Sequence, residues 1–276
     1  MNPNSTRRTG ILELLGSLRR NRQLISKMTR RDVVGRYSGS MLGLAWSFFN
    51  PLLMLVIYTF VFSVVFKSRW GAGAGESKAA YAIVLFAGMI VHGLFAECVN
   101  RAPTLILANV NYVKKVIFPL EILPWVALGS ALFHAVISLV VLLLLQLLLN
   151  HNMPWTVVLF PLVLLPLILA TMGIAWFLAS LGVYLRDVGQ VTGIFTTALL
   201  FLSCVFYPVT SLPPKYQYWM KFNPLAYIIQ ESRDTLIFGR VPDFGLWAIY
   251  LVIGVIVAWL GFAWFQRTRG GFSDVI

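Results

Sequence analysis

A phosphate-hydrolysing site of the P-loop type needs a glycine followed by lysine and a hydroxyl residue. The lysine reaches the phosphates and the hydroxyl holds magnesium. None of the 21 glycines in this chain is followed by lysine, so it has no nucleotide site of that type. HExxH, GxSxG and zinc-ligand spacings are also missing from the sequence. The two cysteines, Cys98 and Cys204, both lie in apolar stretches and read as packing residues. Glu97, His92 and His134 are the few titratable groups near or within long apolar runs. Ion-driven carriers place carboxylates and histidines at membrane depth, so this scarcity argues against one. Asp187 beside Arg186 is the nearest thing to an acid–base pair, and it reads as a salt bridge at a helix end. What remains is aromatic. Tyr58, Phe62, Phe66 and Trp70 recur every four residues, on one slowly rotating face of a helix. Phe195, Phe201, Phe206 and Tyr207 follow in a later apolar run. Such rings stack on the C–H faces of sugars, and they serve equally to pack lipid or neighbouring helices.

The elements that must carry these rings follow from composition. Hydrophobic residues make up 59% of the 276 and charged ones 12%, with a mean hydropathy of +0.80. Soluble domains carry roughly 45–50% apolar and about 25% charged residues, so a soluble enzyme and a disordered chain are both excluded. The net charge of +12 would suggest nucleic acid in a soluble protein. Here there is too little polar surface to form a basic groove, and no nucleic-acid partner is expected.

Charged residues leave 37–66, 79–96, 122–185, 188–214 and 244–266 empty. A helix needs about 20 apolar residues to cross the ~30 Å hydrocarbon core. The run 122–185 holds two such helices, divided at Asn150-His151-Asn152-Met153-Pro154. The sequence therefore predicts an all-α integral membrane protein. Its six spans fall at about 41–66, 79–100, 120–149, 155–184, 190–209 and 244–266, within a membrane domain of 37–266. A β-barrel would alternate every second residue, and runs such as Val140–Leu145 do not. Six spans put both ends of the chain on one side. That side collects fifteen of the 22 Lys and Arg, the other seven, which places both termini in the cytoplasm. The first apolar run is too long for a signal peptide and reads as a permanent span.

The connections are informative. In residues 1–36, Ile11, Leu14, Leu15, Leu18, Ile25 and Met28 recur at three-to-four spacing with an interruption at Arg22. With the basic residues among them, they predict an amphipathic helix lying on anionic lipid. It would also serve to contact a partner or an anionic head group. Gly35, Gly39 and Gly43 form a small-xxx-small pattern that would admit close helix contact. Asn50-Pro51 should bend the first span. Residues 101–121 are too broken to cross and predict a short helix between turns. This is either a docking knob or an ordinary amphipathic loop. Residues 208–240, cut by Pro213-Pro214 and Asn223-Pro224, predict two short outer helices, at about 211–238 and re-entrant. Their Trp and Tyr suit a membrane interface or a gate over a pathway. Residues 267–276 remain as a cytoplasmic tail.

Six segments together resemble the membrane subunits of ABC-2 polysaccharide exporters. They are RDVVGRYSGSMLGLAWSFFNP (31–51), NVNYVKKVIFPLEILP (109–124), YLRDVGQ (184–190), SCVFYPVTSLP (203–213), KFNPLAYIIQESRDTLIFG (221–239) and GGFSDVI (270–276). FKSRWG (66–71) is most similar to the O-antigen and capsule branch. The resemblance implies a homodimer with two copies of an ABC ATPase, seated in the bacterial inner membrane. ATP and magnesium would be bound by that partner, with no cofactor or metal in this chain. It implies a coupling helix at 109–118 with Asn109, Asn111, Tyr112, Lys114, Lys115 and Phe118. It further implies an outer gate with Pro213, Tyr216, Trp219, Asn223 and Pro224. Tyr58, Phe62, Phe66, Trp70 and Phe195 would line a channel for a lipid-linked polysaccharide. Arg30, Arg31 and Arg36 would then receive the phosphate of its lipid anchor. An ABC-2 permease for a drug or small lipid is the alternative, and a membrane-embedded transferase a third reading.

Overall fold

The computed structural model describes residues 10–61, 78–114, 118–150, 153–220 and 222–276. Phe62, Phe66, Trp70 and Lys115 lie outside the described residues. Every regular element among the described residues is helical. In chain order they are α1 (Ile11–Arg36), α2 (Trp46–Thr59), α3 (Lys78–Arg101), α4 (Val110–Lys114), α5 (Leu123–Asn150), α6 (Phe160–Tyr184), α7 (Val188–Leu202), α8 (Pro214–Met220), α9 (Pro224–Leu236), α10 (Phe244–Thr268) and α11 (Phe272–Val275). Four helical stretches among the described residues are long and apolar enough to cross a membrane. They are Ala80–Thr104, Leu120–Leu149, Trp155–Tyr184 and Phe244–Val275, with shorter apolar helices at Gly43–Thr59 and Val188–Leu202. A helix bonds its own backbone, which apolar surroundings require.

α3 is the central helix, with Leu85, Ala87 and Val91 fully buried. α6 and α10 lie against each other through backbone rather than side chains. A Cβ built on Gly173 would stand 2.2 Å from the Val257 carbonyl oxygen, and one on Gly261 would stand 2.0 Å from that of Gly173. Beside this seam Trp176 is fully buried, with edge-on contacts to Trp125 and Phe262.

α1 is one continuous helix that runs through Arg22. Met28 and Val33 turn inward, while Thr29 meets α5 at Gly129, where a Cβ would come within 2.6 Å of the threonine hydroxyl. Gly39 and Gly43 do not form a helix face with Gly35. Both sit at positive φ, 86° and 51°, and turn the chain between α1 and α2. Pro51 lies inside α2. Arg186 and Asp187 are exposed neighbours in the turn before α7, and the ion pairs among the described residues do not include one between them. α7 stops at Leu202, well short of residue 209, because the chain turns through Cys204 at φ 55°. α9 starts where Asn223 Oδ1 accepts from the amides of Leu225 and Ala226, with Pro224 in the first turn. Within residues 267–276, Phe272 is buried between Tyr184 and Phe265.

Candidate functional site

α1, α4 and α11 gather at one end of the bundle, and the polar chemistry gathers with them. The Arg101 guanidinium, at the end of α3, holds the Asp32 carboxylate of α1 through two bonds of 2.8 and 2.9 Å. Ser130 of α5 donates to the same carboxylate. Burial pushes the Asp32 carboxyl up, but the Arg101 and Ser130 hydrogen bonds and the nearby guanidinium charges outweigh it and hold it below its usual value. One turn further along α1, Arg36 pairs with Glu97 at 2.6 Å. His134 Nδ1 lies 3.0 Å from the same carboxylate, and its Nε2 lies 3.0 Å from the Tyr37 hydroxyl. Together with Ser47 and Asn50 of α2, these groups line a cavity of about 260 Å³. α1 is therefore pinned to α3 and α5 by charge as well as by apolar contact.

Within the segment expected to dock, 109–118, the described residues form one short helix. α4 spans Val110–Lys114. Asn109 Nδ2 donates to the Leu105 carbonyl, 2.8 Å away, and shapes the turn into it. Tyr112 stacks on Phe118, with ring centroids 4.3 Å apart, and accepts a hydrogen bond from Arg31 at 3.1 Å. Asn111 and Lys114 are exposed, and the Lys114 ammonium donates to the Ile276 carbonyl oxygen at 2.7 Å. Arg30, Arg31 and Arg36 do not form a single anion cradle. Arg30 is exposed, Arg31 reaches α4 and Arg36 reaches Glu97.

The aromatic candidates also separate. Tyr58 is half-buried, and its ring packs 5.6 Å from that of Phe206. Phe195 is 51% exposed on α7, beside Ile194 at 73%. Its ring borders an apolar cavity of about 260 Å³ that it shares with Pro166, Leu199, Ile228, Tyr250 and Val257. Of the gate candidates, Tyr216 and Trp219 are exposed on α8, and Trp219 clusters with Tyr218 and Phe222. Pro213 precedes α8, and Pro224 and Asn223 build the start of α9. Asn223 Nδ2 also reaches the Leu202 carbonyl, 3.2 Å away, and the Ser203 hydroxyl, 3.1 Å away.

Sequence reasoning passed over Glu121. It is 3% exposed and takes Arg269 of the C-terminal segment at 2.9 Å and Ser17 of α1 at 3.3 Å. Its backbone carbonyl accepts from Trp176 Nε1 at 3.0 Å. It thus joins the end of the α4 connection to the first helix, α6 and the last segment. The signal was present as a lone acid at the border of the longest uncharged run. Asp32, Arg101 and Arg233 were missed in the same way.

Known proteins match along almost the whole chain. The chain is 25% identical to the O-antigen export system permease protein RfbA of Myxococcus xanthus over 268 residues, 96% of this chain and 100% of that protein. A protein of the same name from Klebsiella pneumoniae is 25% identical over 92% of this chain and 95% of its own length. The polysialic acid transport protein KpsM of Escherichia coli is 23% identical over 87% of this chain and 90% of its own length. Residues 23–237 match the family described as ABC-2 type transporter. With several helices long and apolar enough to cross a bilayer and a match over most of its length, this multi-pass membrane chain belongs to the ABC-2 type transporter family.

Proposed function

We propose that the chain is the membrane subunit of an ABC exporter that moves lipid-linked polysaccharide across the bacterial inner membrane. A separate ATPase would bind ATP and magnesium and supply the work. The observation that carries this reading is the end-to-end likeness to O-antigen and polysialic acid transport proteins. It is joined by the absence of a P-loop from the sequence. A drug or small-lipid permease has no comparable support.

Six spans with both termini in the cytoplasm fit the contacts. Arg269, Glu121 and Ser17 tie the end of α10, the approach to α5 and α1 together. Arg101 and Asp32 add the end of α3, and Tyr184 bonded to Thr268 adds the end of α6. α2 and α7 begin beside this same end, which also carries the positive excess. α1 would be the interface helix and α4 the element seated in the ATPase. Two copies of the chain would meet with α2 and α7 around a channel, which fits the exposed apolar faces of these helices at Val56, Ile57, Phe60, Val191 and Ile194. α8 and α9 would form the outer gate.

A hydroxylated polymer cannot enter lipid, because each unpaired hydroxyl costs several kcal/mol there. It needs a wet path with weak, repeated contacts, and aromatic faces such as Phe195 and Tyr58 supply them. The anchor phosphate would first meet one of Arg30, Arg31 and Arg36, which point to different places, and at Arg36 it must displace Glu97. The test is deletion of the coding sequence. Lipid-linked polysaccharide should accumulate inside the cell and vanish from the surface, and the intact chain should restore it. Normal surface polysaccharide in the deletion strain contradicts the assignment.

A further inference from the structure

The break after α7 leaves the last carbonyls of a helix without intrahelical partners. Four carbonyls of this segment are claimed by side chains from other helices. Asn223, which caps α9, takes Leu202, and Tyr81 of α3 takes Phe206 at 2.8 Å. Arg233, near the end of α9, takes two more. Its Nη1 donates to Cys204 at 2.9 Å and its Nη2 to Val205 at 2.7 Å, while Nε donates to Val84 of α3 at 3.1 Å. Arg233 is 1% exposed. A planar fork of five donors matches three carbonyls on two elements, and the single ammonium of lysine cannot span them. The space for the fork comes from Gly88, where a Cβ would stand 2.6 Å from Nη2.

We propose that Arg233 is a positioning residue for export. It fixes the bent 203–206 backbone at the end of α7 and fastens α9 and α3 to it, so that α7, its aromatic end and the gate helix move as one unit. The positioning stands on the contacts above. Its consequence for glycan passage rests on the reading of α7 as a channel wall.

Cys204 sits inside the clamp and is buried, and the chain has only two cysteines. A Cys98→Ser background therefore leaves Cys204 as the sole thiol and a local reporter. In membrane vesicles that hold the complete exporter, labelling of Cys204 by N-ethylmaleimide should be slow. Arg233→Gln should speed it by about tenfold or more, through local opening of the segment. Gly88→Ala should do the same by displacing the guanidinium, and Arg233→Lys should fall between. Gly93→Ala, on the same helix with nothing within 4 Å of its added Cβ, should match the parent. The ATPase should still co-purify with each variant, which separates a loosened clamp from a failed fold. Unchanged labelling in Arg233→Gln and Gly88→Ala overturns the proposal. Faster labelling with lost export is the expected result. Faster labelling with full export keeps the clamp as a structural contact and overturns its role in export.

Discussion

Gly182→Ala on α6 should force apart a pair of backbones that now touch. A Cβ at this position would stand 2.2 Å from the Pro103 carbonyl oxygen and 2.7 Å from its Cα. An ordinary carbon–oxygen contact is about 3.4 Å, so α6 and the 102–104 turn must separate by about 1 Å. No flexible side chain is available to absorb the shift, because the clash is with main chain. A gap of that size forfeits about a quarter to a half of each facing dispersion contact, and overpacking of this kind costs about 1–3 kcal/mol. At roughly 2–4 °C per kcal/mol, the detergent-purified protein should melt several degrees lower. The displaced turn leads directly into α4, so ATP hydrolysed per glycan exported should also rise. Gly93→Ala is the control. It meets nothing within 4 Å and should leave stability unchanged or raise it by about 0.4–1 kcal/mol, as helical Gly→Ala does. If Gly182→Ala melts and couples like Gly93→Ala, the backbone contact is not what holds this turn.

Three further outcomes follow from the end of the bundle where α1 and α4 lie. Arg269→Ala removes the guanidinium from the buried Glu121 carboxylate, which keeps the Ser17 hydroxyl, and should cost up to about 3–5 kcal/mol by urea unfolding. Adding Glu121→Gln should recover some of that loss, and strict additivity would contradict the pairing. Lys114→Ala should leave ATP hydrolysis running while export falls, measured as glycan per ATP; normal coupling would remove α4 from the docking face. The lowered carboxyl of Asp32 gives a pH signature. A depressed folded-state value means that its contribution is complete above its usual 3.8 and is lost as the pH falls from there through the folded value. A dye pair on α1 and α3 should report a steady distance at neutral pH and separation only in strong acid. Asp32→Asn should loosen α1 already at neutral pH, and parent-like distances in that variant would refute the clamp.

The long helices were legible because lipid imposes a simple rule. Uncharged runs must be helical, and their boundaries follow the charges, as at Arg101, Glu121 and Arg186. Local pattern failed where a residue's role depends on a distant partner. The spacing of Gly35, Gly39 and Gly43 imitates a helix-contact motif, yet two of the three turn the chain. The glycines that do bring helices into contact, Gly173 and Gly261, lie on different helices, and no single-segment spacing announces them. Likewise α7 read as running to residue 209, since nothing near Cys204 signals a bend. The bend is fixed by Arg233, from a later helix. Arg30, Arg31 and Arg36 are close in sequence, but helical rotation and the competing acceptors Tyr112 and Glu97 send them to different places.

The most direct test of the account is transport by the purified complex. The chain, its ATPase and a fluorescently tagged lipid-linked glycan would be placed together in sealed vesicles, with the glycan on the face that carries the ATPase. The account predicts that the tag crosses to the opposite face only when ATP, the ATPase and this chain are all present. Hydrolysis of ATP by this chain alone, or ATP turnover by the complex without any glycan crossing, would contradict it.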